Sequence, residues 1–143
     1  MAADAPNRGL EPRATATTVR RVPPPPPTIL ICEDEVALRE LIRAALGVGY
    51  RYAEAGDGRE ALELVEAVHP DLVILDVMMP GPSGLDVLAA LQKGNGGDIP
   101  VVVLTAWSHE REAALAAGAA RFLSKPFDPD ELKTIVDELV HRR

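Results

Sequence analysis

The stretch PDLVILDVMMPG, residues 70–81, decides the fold. Leu72 to Leu75 form an apolar run with no alternation of polar and apolar positions, so a strand built from them is covered on both faces. Such strands lie in the middle of a parallel sheet, between layers of helices. Asp76 ends the run, just ahead of two methionines and a proline. A carboxylate at that point reads in two ways: as a turn residue, because Asp commonly terminates strands, or as a reactive group at the mouth of the core.

The neighbouring sequence repeats the pattern. TILICE (28–33) is a short strand, and EVALRELIRAALG (35–47) places Val36, Leu38, Leu41, Ile42, Ala45 and Leu46 at helical spacing. Asp34 is a candidate N-cap for that helix and Gly47 a candidate stop. YRYAEA (50–55) is a weak strand, followed by a GDG turn and the helix REALELVEAV (59–68), striped by Ala61, Leu62, Val65 and Val68. A third helix starts near Gly84, with Leu85, Leu88, Ala89 and Leu91 on its apolar face. IPVVVLTA (99–106) is another doubly buried strand, HEREAALAAG (109–118) a short helix, ARFLSK (120–125) the fifth strand, and residues 128–143 the last helix. Five strands alternating with five helices through short connections make an α/β protein with right-handed crossovers. That number of units favours a doubly wound five-stranded parallel sheet in a three-layer α/β/α sandwich over an eight-fold barrel. Periodicity leaves the strand order open.

The chain has 143 residues, 47% hydrophobic and 26% charged, which suits one domain with a substantial core. Its apolar runs are too short and interrupted to span a bilayer, and the N-terminus lacks the apolar segment of a secretory signal. The single cysteine, Cys32, excludes an internal disulfide and suits a reducing compartment, so a cytoplasmic location is expected. The formal charge of −7 is uneven: residues 1–28 carry four arginines against Asp4 and Glu11, leaving −9 for residues 29–143. An acidic body of that kind is a poor unassisted binder of nucleic acid or anionic lipid, and neither is expected as a partner.

Residues 1–27 are rich in Ala, Pro, Arg and Thr, show no period, and end in five prolines, Pro23 to Pro27. They read as a disordered proline-rich tail whose proline run is an extended polyproline II spacer rather than a ligand for a proline-recognising module. The folded domain is then 28–143.

In open parallel sheets, sites form beyond the carboxyl ends of the strands. The residues standing there are Glu33, Asp34 and Glu35 after the first strand, Asp76 after the third, Thr105 and Ala106 after the fourth, and Lys125 and Pro126 after the fifth. Three carboxylates gathered in a partly desolvated pocket repel one another, so either one takes up a proton or a cation neutralises them. Magnesium prefers oxygen ligands and retains waters, so Asp34, Asp76, one backbone carbonyl and waters suffice, with Glu33 acting through a water. The best-placed carbonyl is that of Met78. With the ion bound, the Asp76 carboxylate can attack phosphorus as a nucleophile that needs no deprotonation, giving an acyl phosphate. Lys125 supplies a point charge and the Thr105 hydroxyl a hydrogen bond to a phosphoryl oxygen.

ILICEDE, DLVILDVMMPGPSG, VVVLTA and FLSKPF, in that order, resemble the motifs of the receiver domain of two-component response regulators. The resemblance covers residues 28–143, and EAGDGREAL and AGAARFLSKPF extend it between motifs. It implies the flavodoxin-like, receiver-type sandwich and an Asp76 that accepts phosphate from a partner histidine kinase or phosphotransfer protein. Glu33 and Asp34 match the acidic pair around Mg2+, Thr105 the switch hydroxyl, Lys125 the phosphate-contacting lysine and Phe122 the switch aromatic. The Lys125-Pro126 peptide matches one that is often cis in the family. On phosphorylation Thr105 would be drawn inward, Phe122 would turn into the interior, and the surface of helix 4, strand 5 and helix 5 would change its affinity for a downstream partner. The domain would be a phosphoacceptor rather than an enzyme, catalysing only its own phosphorylation and dephosphorylation.

One departure bears on that surface. Members that dimerise through it often carry paired acidic residues before the switch aromatic, where this chain has Ala119-Ala120-Arg121. Nothing after the last helix resembles an output domain, so the chain reads as a stand-alone receiver or one cut from a longer protein. Met78 and Trp107, each two residues past a site residue, are expected either to flank the path of a hydrolytic water or to be plain loop residues. His69, His109 and His141 lack metal-ligand spacing, and Glu54 and Asp57 read as loop and turn polar groups. Two other classes remain as alternatives. A flavin-binding module needs a glycine- or hydroxyl-rich phosphate loop after the first strand, where CEDEVALRE places carboxylates. A magnesium-dependent aspartate-nucleophile phosphohydrolase has a DxDxT motif there, which Asp34-Glu35-Val36 does not supply.

Overall fold

A computed structural model of the chain describes residues 23–81, 83–94 and 99–141. The sheet contains β1 (Thr28–Cys32), β2 (Arg51–Ala55), β3 (Leu72–Leu75), β4 (Val101–Thr105) and β5 (Arg121–Ser124), all parallel, in the order β2-β1-β3-β4-β5. The helices are α1 (Val36–Leu46), α2 (Gly58–Val68), α3 (Gly84–Lys93), α4 (Arg111–Ala116) and α5 (Pro129–His141), with a 3-10 turn at Ser108–Glu110 leading into α4. This is the doubly wound, flavodoxin-like α/β/α sandwich.

The unalternating apolar runs divide between two cores. Ile29, Ile31, Leu72, Ile74, Val102, Leu104 and Leu123 point to one face, where Ile42 and Leu46 of α1 meet Leu132, Ile135, Val136, Leu139 and Val140 of α5. Leu30, Cys32, Val73, Leu75, Val101, Val103 and Phe122 point to the other, against Ala61 and Val65 of α2, Val87, Leu88 and Leu91 of α3 and Ala114 of α4. Both faces of the inner strands β1, β3 and β4 are filled, which is why their interiors are apolar, whereas the edge strands β2 and β5 carry polar residues such as Glu54 and Arg121.

Several local expectations change. Asp34 does not cap α1: Glu35 is still extended, at φ -90° and ψ 119°, and is itself the N-cap, without a side-chain hydrogen bond, while its N–H donates to the Glu33 carboxylate at 3.1 Å. Gly47 does end α1, in the left-handed region at φ 85°, where a side chain would be strained. Asp57 caps α2 by accepting the Glu60 N–H at 2.8 Å. Glu54 is no loop residue; it lies within edge strand β2, bound to Arg39 and Arg43. Pro23 to Pro26 are exposed and Pro27 is half-buried, all without regular secondary structure, while residues 1–22 of the expected tail lie outside the described residues.

Candidate functional site at the switch of the sheet

The chain departs from β1 toward opposite sides of the sheet, so the crevice between the carboxyl ends of β1 and β3 is the topological switch point, where α/β sheets bind ligands. Glu33 and Asp34 leave β1 there and Asp76 leaves β3. The Asp76 N–H donates to the Cys32 carbonyl at 3.0 Å and the Glu33 N–H to the Ala55 carbonyl at 2.9 Å, so both residues are anchored by the ladder just before the chain opens into loops.

Glu33, Asp34 and Asp76 each bring a carboxylate oxygen within 4.8 Å of the others. Glu33 and Asp76 are buried, whereas Asp34 is exposed and forms the outer rim. Lys125 reaches across from the end of β5: its ammonium donates to Glu33 Oε1 at 2.7 Å and to Asp76 Oδ2 at 2.8 Å. Burial pushes the Glu33 carboxyl up to about 7, against the pull of Lys125. Burial alone lowers the Lys125 ammonium, but hydrogen bonds and charge from Asp76 and Glu33 prevail and hold it above its ordinary value. The other Asp76 oxygen, Oδ1, accepts the Met78 N–H at 2.9 Å, which fixes the carboxylate in a turn of its own loop.

Thr105, at the end of β4, is fully buried, and its hydroxyl accepts the Trp107 N–H at 3.4 Å. The Lys125 N–H donates to the Thr105 carbonyl at 2.8 Å, which ties the β4 and β5 ends together, and the Lys125-Pro126 peptide is cis. Met78 and Trp107 are both substantially exposed on the adjoining loops. Gly84 closes the loop after Asp76. A Cβ on it would stand 2.1 Å from the Val77 Cα, so glycine alone lets α3 begin against that backbone.

Phe122 is the residue expected to act as the switch aromatic. In this structure it is already covered, packed in the core on the α2–α4 face, and the Arg111 guanidinium lies 5.9 Å from its ring centre, within cation–π range. Arg121, just ahead of Phe122, bonds Glu138 of α5 at 3.2 Å. Sequence reading missed the support behind the acidic pair: Arg39, Arg43 and Glu54, which join α1 to β2. The GDG turn and helical stripe gave no sign of it, because arginines on a helix face ordinarily read as solvated.

The model for the response regulator receiver domain family matches residues 29–137. The chain belongs to that family. It is 45% identical over 117 residues to response regulator MprA of Mycolicibacterium vanbaalenii, covering 80% of this chain and 50% of the relative. A protein of Cyanophora paradoxa with a transcriptional-regulator name, ycf27, is 39% identical over 80% of this chain and 48% of its own. The chain thus spans about half the length of these curated relatives. Among solved structures, response regulator protein TrrA of Thermotoga maritima, in complex with Mg2+ and BeF, superposes with a TM-score of 0.73 at 40% identity, covering 79% of this receiver chain and 98% of that one. A response regulator of Chloroflexus aurantiacus gives 0.77 at 33% identity, with coverage of 82% and 99%. As a receiver domain, the protein is a component of two-component signalling.

Among the described residues, no helix is long and apolar enough to cross a membrane.

Proposed function

We propose that Asp76 accepts a phosphoryl group from a histidine of a partner kinase or phosphotransfer protein in a magnesium-dependent reaction, and that Thr105 and Phe122 turn this into a change of partner affinity. The observation that carries the reading is the convergence of Lys125 on Asp76 and Glu33, inside a cluster that also holds Asp34.

The residues present fit a hard divalent cation. Their donors are carboxylate oxygens, close enough to share one ion, and two of the three are buried where their mutual repulsion is least screened. Glu33, Asp34, Asp76 and the Met78 carbonyl would hold it. Both Glu33 oxygens already accept hydrogen bonds, from Lys125 and from the Glu35 N–H, which favours contact through water for that residue. Magnesium, when bound, offsets the charge on the phosphoryl oxygens.

The protein's own groups do the rest. Asp76 is held by the Met78 N–H, so its carboxylate meets phosphorus in one orientation. One carboxylate oxygen forms the new O–P bond as the P–N bond to the donor histidine breaks, and the departing imidazole takes up a proton. The Lys125 ammonium, now on Asp76 Oδ2, is within reach of the incoming phosphoryl oxygens. Thr105 would exchange the Trp107 N–H contact for a phosphoryl oxygen, pulling on the β4–α4 loop next to the Phe122 environment. An apolar hollow of about 380 Å3, bordered by Leu38, Leu41, Ala106, Pro126 and Phe127, lies beside Lys125 and offers a donor protein a surface to rest on.

The surface of α4, β5 and α5 is then the output face, with an unidentified downstream protein as partner. A relative with a transcriptional-regulator name fits poorly with an expectation of no nucleic-acid contact, so that expectation is retained for residues 28–143 only, on the strength of their acidic charge. A proline-rich leader at 1–27, a receiver at 28–143 and a cytoplasmic location complete the reading. Incubation with acetyl phosphate, with magnesium or with EDTA, tests it: an adduct that forms only with magnesium supports the proposal, and one that forms equally in EDTA refutes the metal's part.

A further inference from the structure

Arg39 lies behind the acidic pair rather than in it. From the third helical position after the Val36 start of α1, its Nε donates to Glu54 Oε1 at 2.9 Å, and its Nη1 donates to the backbone carbonyl of Glu33 at 2.5 Å. Arg43, one turn further along α1, bonds the other Glu54 oxygen. The Arg39 side chain is 16% exposed and that of Glu54 26%, so the contact is partly shielded from water.

Its effect on residue 33 is complete. The N–H of Glu33 goes to the Ala55 carbonyl, its carbonyl takes Arg39, Oε1 takes Lys125 and Oε2 takes the Glu35 N–H. With all four points engaged, the peptide between residues 33 and 34 has one orientation, and that peptide sets the direction in which Asp34 leaves β1. A guanidinium suits this task because its planar fork spans a carboxylate on β2 and a carbonyl at the end of β1 together, which an ammonium on a flexible stem does poorly.

We propose that Arg39 is a positioning residue for the divalent cation that Glu33, Asp34 and Asp76 would take, with Glu54 holding its guanidinium in place. The inference rests on the reading of that cluster as a cation site. Charge and orientation make opposite predictions. A cation bonded to the Glu33 carbonyl repels a metal ion held by the neighbouring carboxylates, so on charge alone removing Arg39 tightens metal binding. If Arg39 orients the ligands, removing it loosens binding, as is typical for groups that hold metal ligands from behind.

The test is a Mn2+ titration of the full chain, read by the electron paramagnetic resonance signal of the free ion, with Mg2+ as competitor. Arg39→Gln is expected to weaken Mn2+ binding about 10-fold or more. Arg39→Lys keeps the charge, loses the fork, and is expected to weaken binding by a smaller factor. Circular dichroism in EDTA establishes that each variant is folded; if Arg39→Gln is not, Arg39→Lys decides alone. Combining Arg39→Gln with Glu54→Gln should add little to Arg39→Gln, since the two act as a unit. Unchanged or tighter binding in a folded Arg39 variant overturns the inference while leaving the cation site intact. A wild type that binds no Mn2+ overturns both.

Discussion

The Lys125 ammonium stands 2.8 Å from Asp76 Oδ2 and, at the same time, 2.7 Å from Glu33 Oε1, so one cation holds two buried carboxylates that would otherwise repel. Replacing it leaves Asp76 buried without its cation, while Glu33, pushed up to about 7 even against the pull of Lys125, takes up a proton. Lys125→Met is expected to destabilise the metal-free protein by about 3 kcal/mol, the lower end of the cost of stranding buried charge, because the Lys125 side chain is still 18% exposed. Urea denaturation in EDTA measures this. Added magnesium should narrow the gap between variant and wild type, because a bound cation replaces the missing charge. Equal stability in EDTA would count against the ion pairs described.

The loop that carries Asp76 depends on a residue with no side chain. Gly84→Ala puts a methyl group into the Val77 backbone, whose Cα is 2.1 Å from the ideal Cβ position, and neither helix nor loop can yield cheaply. A loss of about 3 kcal/mol or more is expected, in line with overpacking against backbone. The urea midpoint checks it, and a loss under 1 kcal/mol, on the scale of ordinary surface substitutions, contradicts the packing.

A second polar pair works far from the site. The Tyr50 hydroxyl donates to Asp137 of α5, and Lys133 bonds the other oxygen at 3.0 Å. Burial raises the Asp137 carboxyl, but the Tyr50 hydroxyl, Lys133 and His141 together hold it below its ordinary value of 3.8. A depressed folded value means that the unfolded chain binds the extra proton first, so this stabilisation is present above about pH 4 and fades as pH falls through the folded value. Burial, followed by the Asp137 contact, raises the Tyr50 hydroxyl well above its usual range, so on the alkaline side the stabilisation is lost only as pH rises beyond the ordinary tyrosine value. Tyr50→Phe should cost about 1 kcal/mol at pH 7, the figure for a hydrogen bond to a charge after allowance for the exposure of Asp137. Thermal melts from pH 3 to 7 should show that cost shrinking toward the acid end. A cost that stays constant would mean that packing, not the charge, sets it.

How much of this was legible in the sequence follows from how local each signal is. The strands were readable because burial on both faces leaves an uninterrupted apolar run, as in Leu72 to Leu75. Glu33, Asp76, Thr105 and Lys125 were readable as candidates because each stands at the carboxyl end of a strand, and parallel strands bring those ends to one edge. Strand order was not, since it depends on crossovers and not on period. Arg39 with Glu54, and Tyr50 with Asp137, pair across 15 and 87 residues and leave no mark on any helical stripe. The start of α1 differs from the expectation because Asp34 is a good capping residue in isolation, while the backbone stays extended through Glu35, so the helix starts one residue later. The contact of Arg111 with Phe122 left no mark either, since the position of Arg111 at the head of α4 gives no hint of a ring beneath it.

Met78 and Trp107 are 42% and 45% exposed and rise from the loops that follow Asp76 and Thr105. As apolar groups at the rim, they are expected to slow the approach of water to an acyl phosphate. Met78→Asn and Trp107→Glu should each shorten the lifetime of the phosphorylated state by a measurable factor, followed by phosphate release after removal of the donor. Unchanged lifetimes in both variants would assign these side chains to loop packing alone.

The central claim is that Asp76 is the phosphoryl acceptor, and intact mass spectrometry after incubation with magnesium and acetyl phosphate tests it most directly. The wild type should gain a single phosphoryl group, and Asp76→Asn, which keeps the shape of the side chain, should gain none. An unmodified wild type, or an Asp76→Asn variant that is modified to the same extent, would contradict the account.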